Sequence, residues 1–270
     1  MATSNPAFRS AAFSSGAAAL AKTGNQAQQG MTTEQLDELY GRAAAGPVET
    51  DRMSYDDVIV KTAVSFAILL AGGVVGWMIP GLMIPAAIAG FVLALVNIFK
   101  KQPSPALVLA YAAVEGVFVG AISNFFNTAF DGIVIQAVLG TLAVVGITLA
   151  LFASGKVRAS KRATKVFLIA MIGYAVFSLV NFGLMAFGVT EGMFGLRSIE
   201  LPFGIPLGAV IGVFVIVMAA YSLVLDFDQA QQGVRNGAPR IFGWSVAFGI
   251  MITVVWLYVE ILRLLAIFRE

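Results

Sequence analysis

Four acidic residues stand in apolar surroundings, and they are where chemistry is expected in this sequence. Glu115 lies in the run ALVLAYAAVEGVFVGAI, Asp226 and Asp228 in YSLVLDFDQAQQ, and Glu260 in MITVVWLYVEILRLLAIF. A charge near the centre of a bilayer costs at least about 2.5–3.5 kcal/mol, so such residues face a protein interior and mark ion or proton pathways. Each also has a purely structural reading. Glu260 and Arg263 are three residues apart, the spacing of a pair on one helical face. Asp226 and Asp228 fall where a helix meets water, and Glu115 is a carboxyl that burial would keep protonated and bound to backbone. Glu115 is expected beside a packing stripe and facing the bundle interior, a candidate lining residue for a pathway. Cysteine and histidine are both absent. Disulfides, thiolate metal sites and cysteine nucleophiles are therefore excluded, as are Ser-His hydrolysis and histidine-based zinc sites. Only unaided carboxylates remain, and no enzyme activity is expected.

The elements that must position these acids are membrane helices. Of 270 residues 59% are hydrophobic and 12% charged, with a mean hydropathy of +0.88. A soluble domain of this length cannot hide so much apolar surface. Apolar runs of about 20 residues, enough to cross about 30 Å of hydrocarbon, fall near 58–79, 82–99, 105–126, 132–154, 164–187, 204–227 and 241–268. The expected fold is all-α, a seven-helix transmembrane bundle over residues 54–270. Ser54 caps the first helix, with Asp56 and Asp57 in its first turn. Pro80-Gly81 is the junction on which the count depends: a re-entrant turn there leaves six spans. Small residues one turn apart, Ala112, Gly116 and Gly120 in the third span and Gly204, Gly208 and Gly212 in the sixth, read as seams of close helix packing.

Loop charges orient the bundle. With the N-terminus in the cytoplasm, all of the seventeen lysines and arginines except Arg197, Arg263 and Arg269 fall on the cytoplasmic side. The reading is a multi-pass protein of the cell membrane, N-terminus inside and C-terminus outside. The basic residues track loops, so no nucleic-acid partner is expected; the partner is the lipid bilayer. Residues 1–53 are polar, carry no cleavable signal and read as a largely disordered cytoplasmic segment. Within it, TTEQLDELYGRAAAG has the capping-box spacing of one short helix.

YSLVLDFDQA combined with WLYVEILRLLAIFR resembles the Bax inhibitor family, also called the transmembrane Bax inhibitor motif or YccA-like family. MSYDDVIVKTAVSF, KKQPSPALVLAYAAVEG and the SNPAF start look like its actinobacterial branch. Family members carry an acid in a D-F-x-Q or D-x-Q element ending the sixth helix and another in an L-Y-L-D-like element of the seventh. Asp226-Phe227-Asp228-Gln229 fits both spellings of the first, and Leu257-Tyr258-Val259-Glu260 fits the second with Glu for Asp. The resemblance implies six helices around a central seventh. It also implies a pH-sensitive calcium (cation) leak channel or transporter, governed by a pair made of Glu260 and Asp226 or Asp228. Two carboxylates close together in low dielectric share a proton or bind a cation, so calcium at Asp226 and Glu260 is the implied ion, with no other cofactor. Some YccA-like proteins resemble non-transporting regulatory partners of a membrane-bound AAA protease, a role the polar tail would suit. Besides Glu for Asp at 260, the sequence departs from the family in two ways. No lysine or arginine lies inside the second or third span to latch the acids. Straight antiparallel helices turning near Ala238 place Asp226 level with about residue 250, roughly 15 Å short of Glu260.

Overall fold

The computed structural model describes residues 51–190, 192–202 and 204–269. The short helix expected in TTEQLDELYGRAAAG, with the rest of the polar tail before Asp51, lies outside the described residues. Seven helices long and apolar enough to cross a membrane follow. They are α1 Tyr55–Met78, α2 Met83–Phe99, α3 Pro105–Ala129, α4 Ile133–Ala153, α5 Lys161–Ala186, α6 Leu207–Arg235 and α7 Gly243–Ile267. A two-stranded hairpin, β1 Glu200–Leu201 and β2 Ile205–Pro206, sits in the α5–α6 connection.

Local chemistry sets the helix ends. The Ser54 hydroxyl accepts from the Asp57 amide at 3.2 Å, the expected cap of α1. Ser160 does the same for Ala163 at 3.2 Å, which starts α5 three residues before the expected 164. Pro105 opens α3 at a position where a missing N–H costs nothing. Pro80–Leu82 form a single 3-10 turn between α1 and α2.

Glycine contacts reveal the helix directions. A Cβ built on Gly72 would press on Ala113, and one on Gly76 on Val117 and Ala121, so α1 and α3 ascend together. Gly90 of α2 faces Glu115, while Asn97 donates to the Leu107 carbonyl at 3.2 Å, so α2 runs against α3. The Pro80 turn therefore reverses the chain, and the described residues hold seven spans. The α1–α3 seam is as close as the small-residue stripe predicts: a Cβ on Gly120 would lie 1.9 Å from the Gly73 carbonyl oxygen, and one on Gly116 2.1 Å from that of Leu69. In the sixth span the stripe is shorter than expected. Gly208 and Gly212 are buried in α6, but Gly204 precedes the helix with a φ of +70°.

The last helix is the core. α7 packs against α1, α3, α4 and α6, and Ala247, Met251, Leu257, Leu262 and Ala266 along it are inaccessible to solvent. α5 is peripheral, with Asn181 as its one buried residue. At the end where α1 begins, the chain straps across the α6–α7 turn. The Met53 amide donates to Ala238 at 2.8 Å and the Arg240 amide to Asp51 at 2.9 Å, while the Met53 side chain is buried beside Ala230 and Val246. Beneath the strap, Lys61 donates to Asp57 and to the Arg240 carbonyl, each at 2.5 Å, and lies over the Trp244 ring.

Candidate functional site

The sixth helix runs on past Asp226 further than the hydropathy of its sequence indicates. α6 continues through DQAQQGVR to Arg235, nine residues past Asp226, which sets the carboxylate about 14 Å from the helix end. Asp226 faces α7, accepts the Thr253 hydroxyl at 2.7 Å and stands against Gly249, where a Cβ would come within 3.0 Å of Oδ1. Ser222, one turn back, reaches Thr253 at 3.3 Å. Asp228 points elsewhere. It accepts from Gln232 on its own helix at 2.5 Å and lines a cavity with Ser160, Lys161 and Lys165 at the start of α5. Of the two aspartates left open by the sequence, Asp226 is the one that meets the central helix.

Glu260 is held by a different set of groups. It is 2% exposed, and its Oε1 accepts Arg263 Nη1 at 2.6 Å and the Tyr174 hydroxyl from α5. Arg197, itself 4% exposed, lies 3.7 Å away through Nη1 and Oε2. Arg197 Nη2 donates to Tyr174 at 3.0 Å and to Ser178 at 3.4 Å, and its guanidinium lies over the rings of Tyr174 and Phe177. The pairing of Glu260 with Arg263 was legible at three-residue spacing. Arg197 and Tyr174 were not. Arg197 arrives from the α5–α6 connection, folded inward by a 3-10 turn over Gly195–Ser198. Asn181 pins that turn, donating to the Phe194 carbonyl at 3.2 Å and accepting the Leu196 amide at 2.7 Å. Asparagine in the apolar run SLVNFGLMAF was the available signal for such an anchor.

Asp226 and Glu260 are not brought together in this conformation. Thr253, the partner of Asp226, precedes Glu260 by seven residues, so the two acids share a face of α7 but lie about 10 Å apart along it. Between them sit Leu223 and Leu257, both inaccessible and in one cluster. The expected offset thus survives; tilt and kinking do not remove it. The basic latch sought in the second and third spans comes instead from the α5–α6 connection and from α7 itself. Lys61, the early-helix lysine, serves Asp57 at the end of the bundle and takes no part here.

Glu115 lies on another flank. It sits half-buried between α2 and α3, in a groove with Gly90, Phe91, Tyr111 and Phe118, and not against α7. The expectation that it faces the bundle interior is corrected: α3 turns its glycine stripe to α1, which rotates the neighbouring Glu115 toward α2.

The chemistry of the arrangement is uneven. One carboxylate and two guanidiniums leave a buried excess of positive charge at Glu260, which repels a cation. Among the described residues Asp226 pairs with no lysine or arginine and accepts the Thr253 hydroxyl. Calcium takes six to eight oxygens, and no three acidic side chains gather among the described residues. Among curated proteins none matches the chain. The family described as Bax inhibitor 1 like matches residues 5–270, and with seven apolar helices around a central last one, this chain belongs to it.

Proposed function

We propose that this protein passes cations across the cell membrane along the seam between α6 and α7, with its N-terminus in the cytoplasm. The observation that carries the reading is Asp226, a carboxylate about 14 Å from its helix end that accepts the Thr253 hydroxyl, which in turn meets Ser222. Among the described residues it has no counter-charge, so it takes a proton or a cation. Protonated, it is a neutral partner for Thr253 and the seam is shut by Leu223 and Leu257. Deprotonated, it attracts a cation from the cytoplasmic end. The ion then meets the second barrier, the Glu260–Arg197–Arg263 cluster, whose opening frees Glu260 to serve as the next oxygen ligand. The sign of the pH dependence follows: flux rises as pH rises through the titration of Asp226. Weak coordination at each level favours release, which conduction requires.

The test is ion flux into proteoliposomes carrying the purified full chain, with calcium, potassium and protons compared. Asp226→Asn is expected to lower cation flux at least about tenfold and flatten its pH dependence, while deletion of residues 2–50 leaves both intact. Normal pH-dependent flux in Asp226→Asn overturns the mechanism. A protein that passes no ion above empty liposomes overturns the function, and a regulatory role through the tail at a membrane-bound protease is then the reading to pursue.

A further inference from the structure

The groove that holds Glu115 has features that ion passage along α7 does not use. Its volume is about 230 Å³, and Ala87, Gly90 and Phe91 of α2 face Tyr111, Glu115 and Phe118 of α3 across it. Glu115 is ten residues into α3, about 15 Å along the axis, so the groove lies at mid-span. The carboxyl is aimed across it: a Cβ on Gly90 would come within 2.7 Å of Oε2. Glycine at 90 makes the room that the carboxyl occupies. Among the described residues no lysine or arginine pairs with Glu115, and its polar neighbour is the Tyr111 hydroxyl one turn back. Phe91, 65% exposed, forms the rim toward lipid.

We propose that this groove binds an organic ammonium that reaches it through the bilayer. The ammonium sits between Glu115 and the faces of Tyr111 and Phe118, and its hydrocarbon chain passes Phe91 into the lipid. Charge complementarity selects this occupant. A carboxyl in hydrocarbon takes a proton or a positive partner, and the described residues supply no cation. A metal ion would have to exchange its water for several oxygens, whereas the groove offers one carboxylate and one phenol. An alkylated ammonium is weakly hydrated, dissolves in the bilayer with its chain, and gains from ring faces as well as from the single counter-charge. The alternation of small residues on α2 (Ala87 and Gly90) with rings on α3 gives the headgroup its space and its walls.

The proposal is tested by equilibrium binding of radiolabelled decyltrimethylammonium to the full chain in lipid nanodiscs, against empty nanodiscs, with decanol as the uncharged competitor. One saturable site per chain is expected, displaced by unlabelled decyltrimethylammonium and not by decanol. Affinity should fall about tenfold or more, about 1.4 kcal/mol, in Glu115→Gln. It should fall less in Gly90→Ala, which keeps the charge and obliges only the flexible carboxyl end to shift aside. Because the decanol competition needs no variant, it decides the matter even where a substituted protein does not fold. Absence of saturable binding over empty nanodiscs, unchanged affinity in folded Glu115→Gln, or displacement by decanol as effective as by the ammonium would each overturn the site. None of these outcomes depends on ion flux, so the groove and the α6–α7 pathway succeed or fail separately.

Discussion

Replacing Glu260 by glutamine removes the one negative charge from a cluster that holds two guanidiniums. The side chain is 3% exposed and Arg197 is 5% exposed, whereas Arg263 is 26% exposed and keeps some water. Breaking a buried pair by deleting one partner costs about 3–5 kcal/mol, because the remaining charge stays buried without compensation. For a domain of this size that corresponds to a fall of about 6–20 °C in melting temperature. Arg197→Met should cost less. It leaves Glu260 with Arg263 at 2.6 Å and with Tyr174. The loss is two hydrogen bonds, to Tyr174 and Ser178, at about 0.5–1.5 kcal/mol each. It also relieves the cluster of its surplus positive charge. In Glu260→Gln the added Arg197→Met should therefore restore part of the lost stability, a coupling of about 0.5–3 kcal/mol. Thermal unfolding in detergent, followed by tryptophan fluorescence, measures all four proteins, and Trp256 beside Tyr174 reports on the cluster directly. If Glu260→Gln melts within about 2 °C of the parent, or if Arg197→Met melts below Glu260→Gln, the cluster is not the buried ion pair described here.

Three further outcomes are expected. Gly120→Ala places a methyl 1.9 Å from the Gly73 carbonyl oxygen, backbone against backbone; it should destabilise the protein by about 1–3 kcal/mol, and an unchanged melting temperature in detergent would contradict the α1–α3 seam. Cysteines introduced singly into this cysteine-free chain should react with membrane-impermeant maleimide in intact cells at the exposed Val189 and not at Lys156, so external labelling of position 156 reverses the orientation. Lys61→Met leaves Asp57, whose side chain is 8% exposed, with only the half-exposed Arg240. It should lower the melting temperature, with Asp57→Asn in the same protein restoring part of it; no rescue would mean that the pair is not coupled.

What the sequence revealed was what depends on local chemistry or on rise per residue. Ser54 and its two aspartates mark a helix start because the cap and the dipole act within one turn. The antiparallel geometry of α6 and α7 put Asp226 near residue 250, and it meets Gly249 and Thr253. Glu260 and Arg263 pair because three residues bring side chains onto one face. The end of α6 was misplaced because hydropathy stops at the membrane edge while helical hydrogen bonding carries on to Arg235. Arg197 was unreadable for a different reason: its place depends on a loop turned inward by Asn181, a contact between residues that no periodicity connects. Glu115 was put in the interior because a helix wheel shows which residues share a face but not which neighbour that face meets.

The central helix is made after the six that surround it. When α7 leaves the ribosome, α1 to α6 have already been delivered to the membrane, and the faces that will meet it have only lipid or one another. Those faces include Asp226, which at that stage has no Thr253, and Arg197, which has no Glu260. The first six helices thus form an incomplete ring that must stay open, or be held open, until its axle arrives. A chain stopped before Gly243 keeps six of its seven hydrophobic spans and still loses the cluster that unites α3, α4 and α6. Quality control in the membrane therefore has a specific object to detect here: polar side chains left facing lipid by a missing final segment.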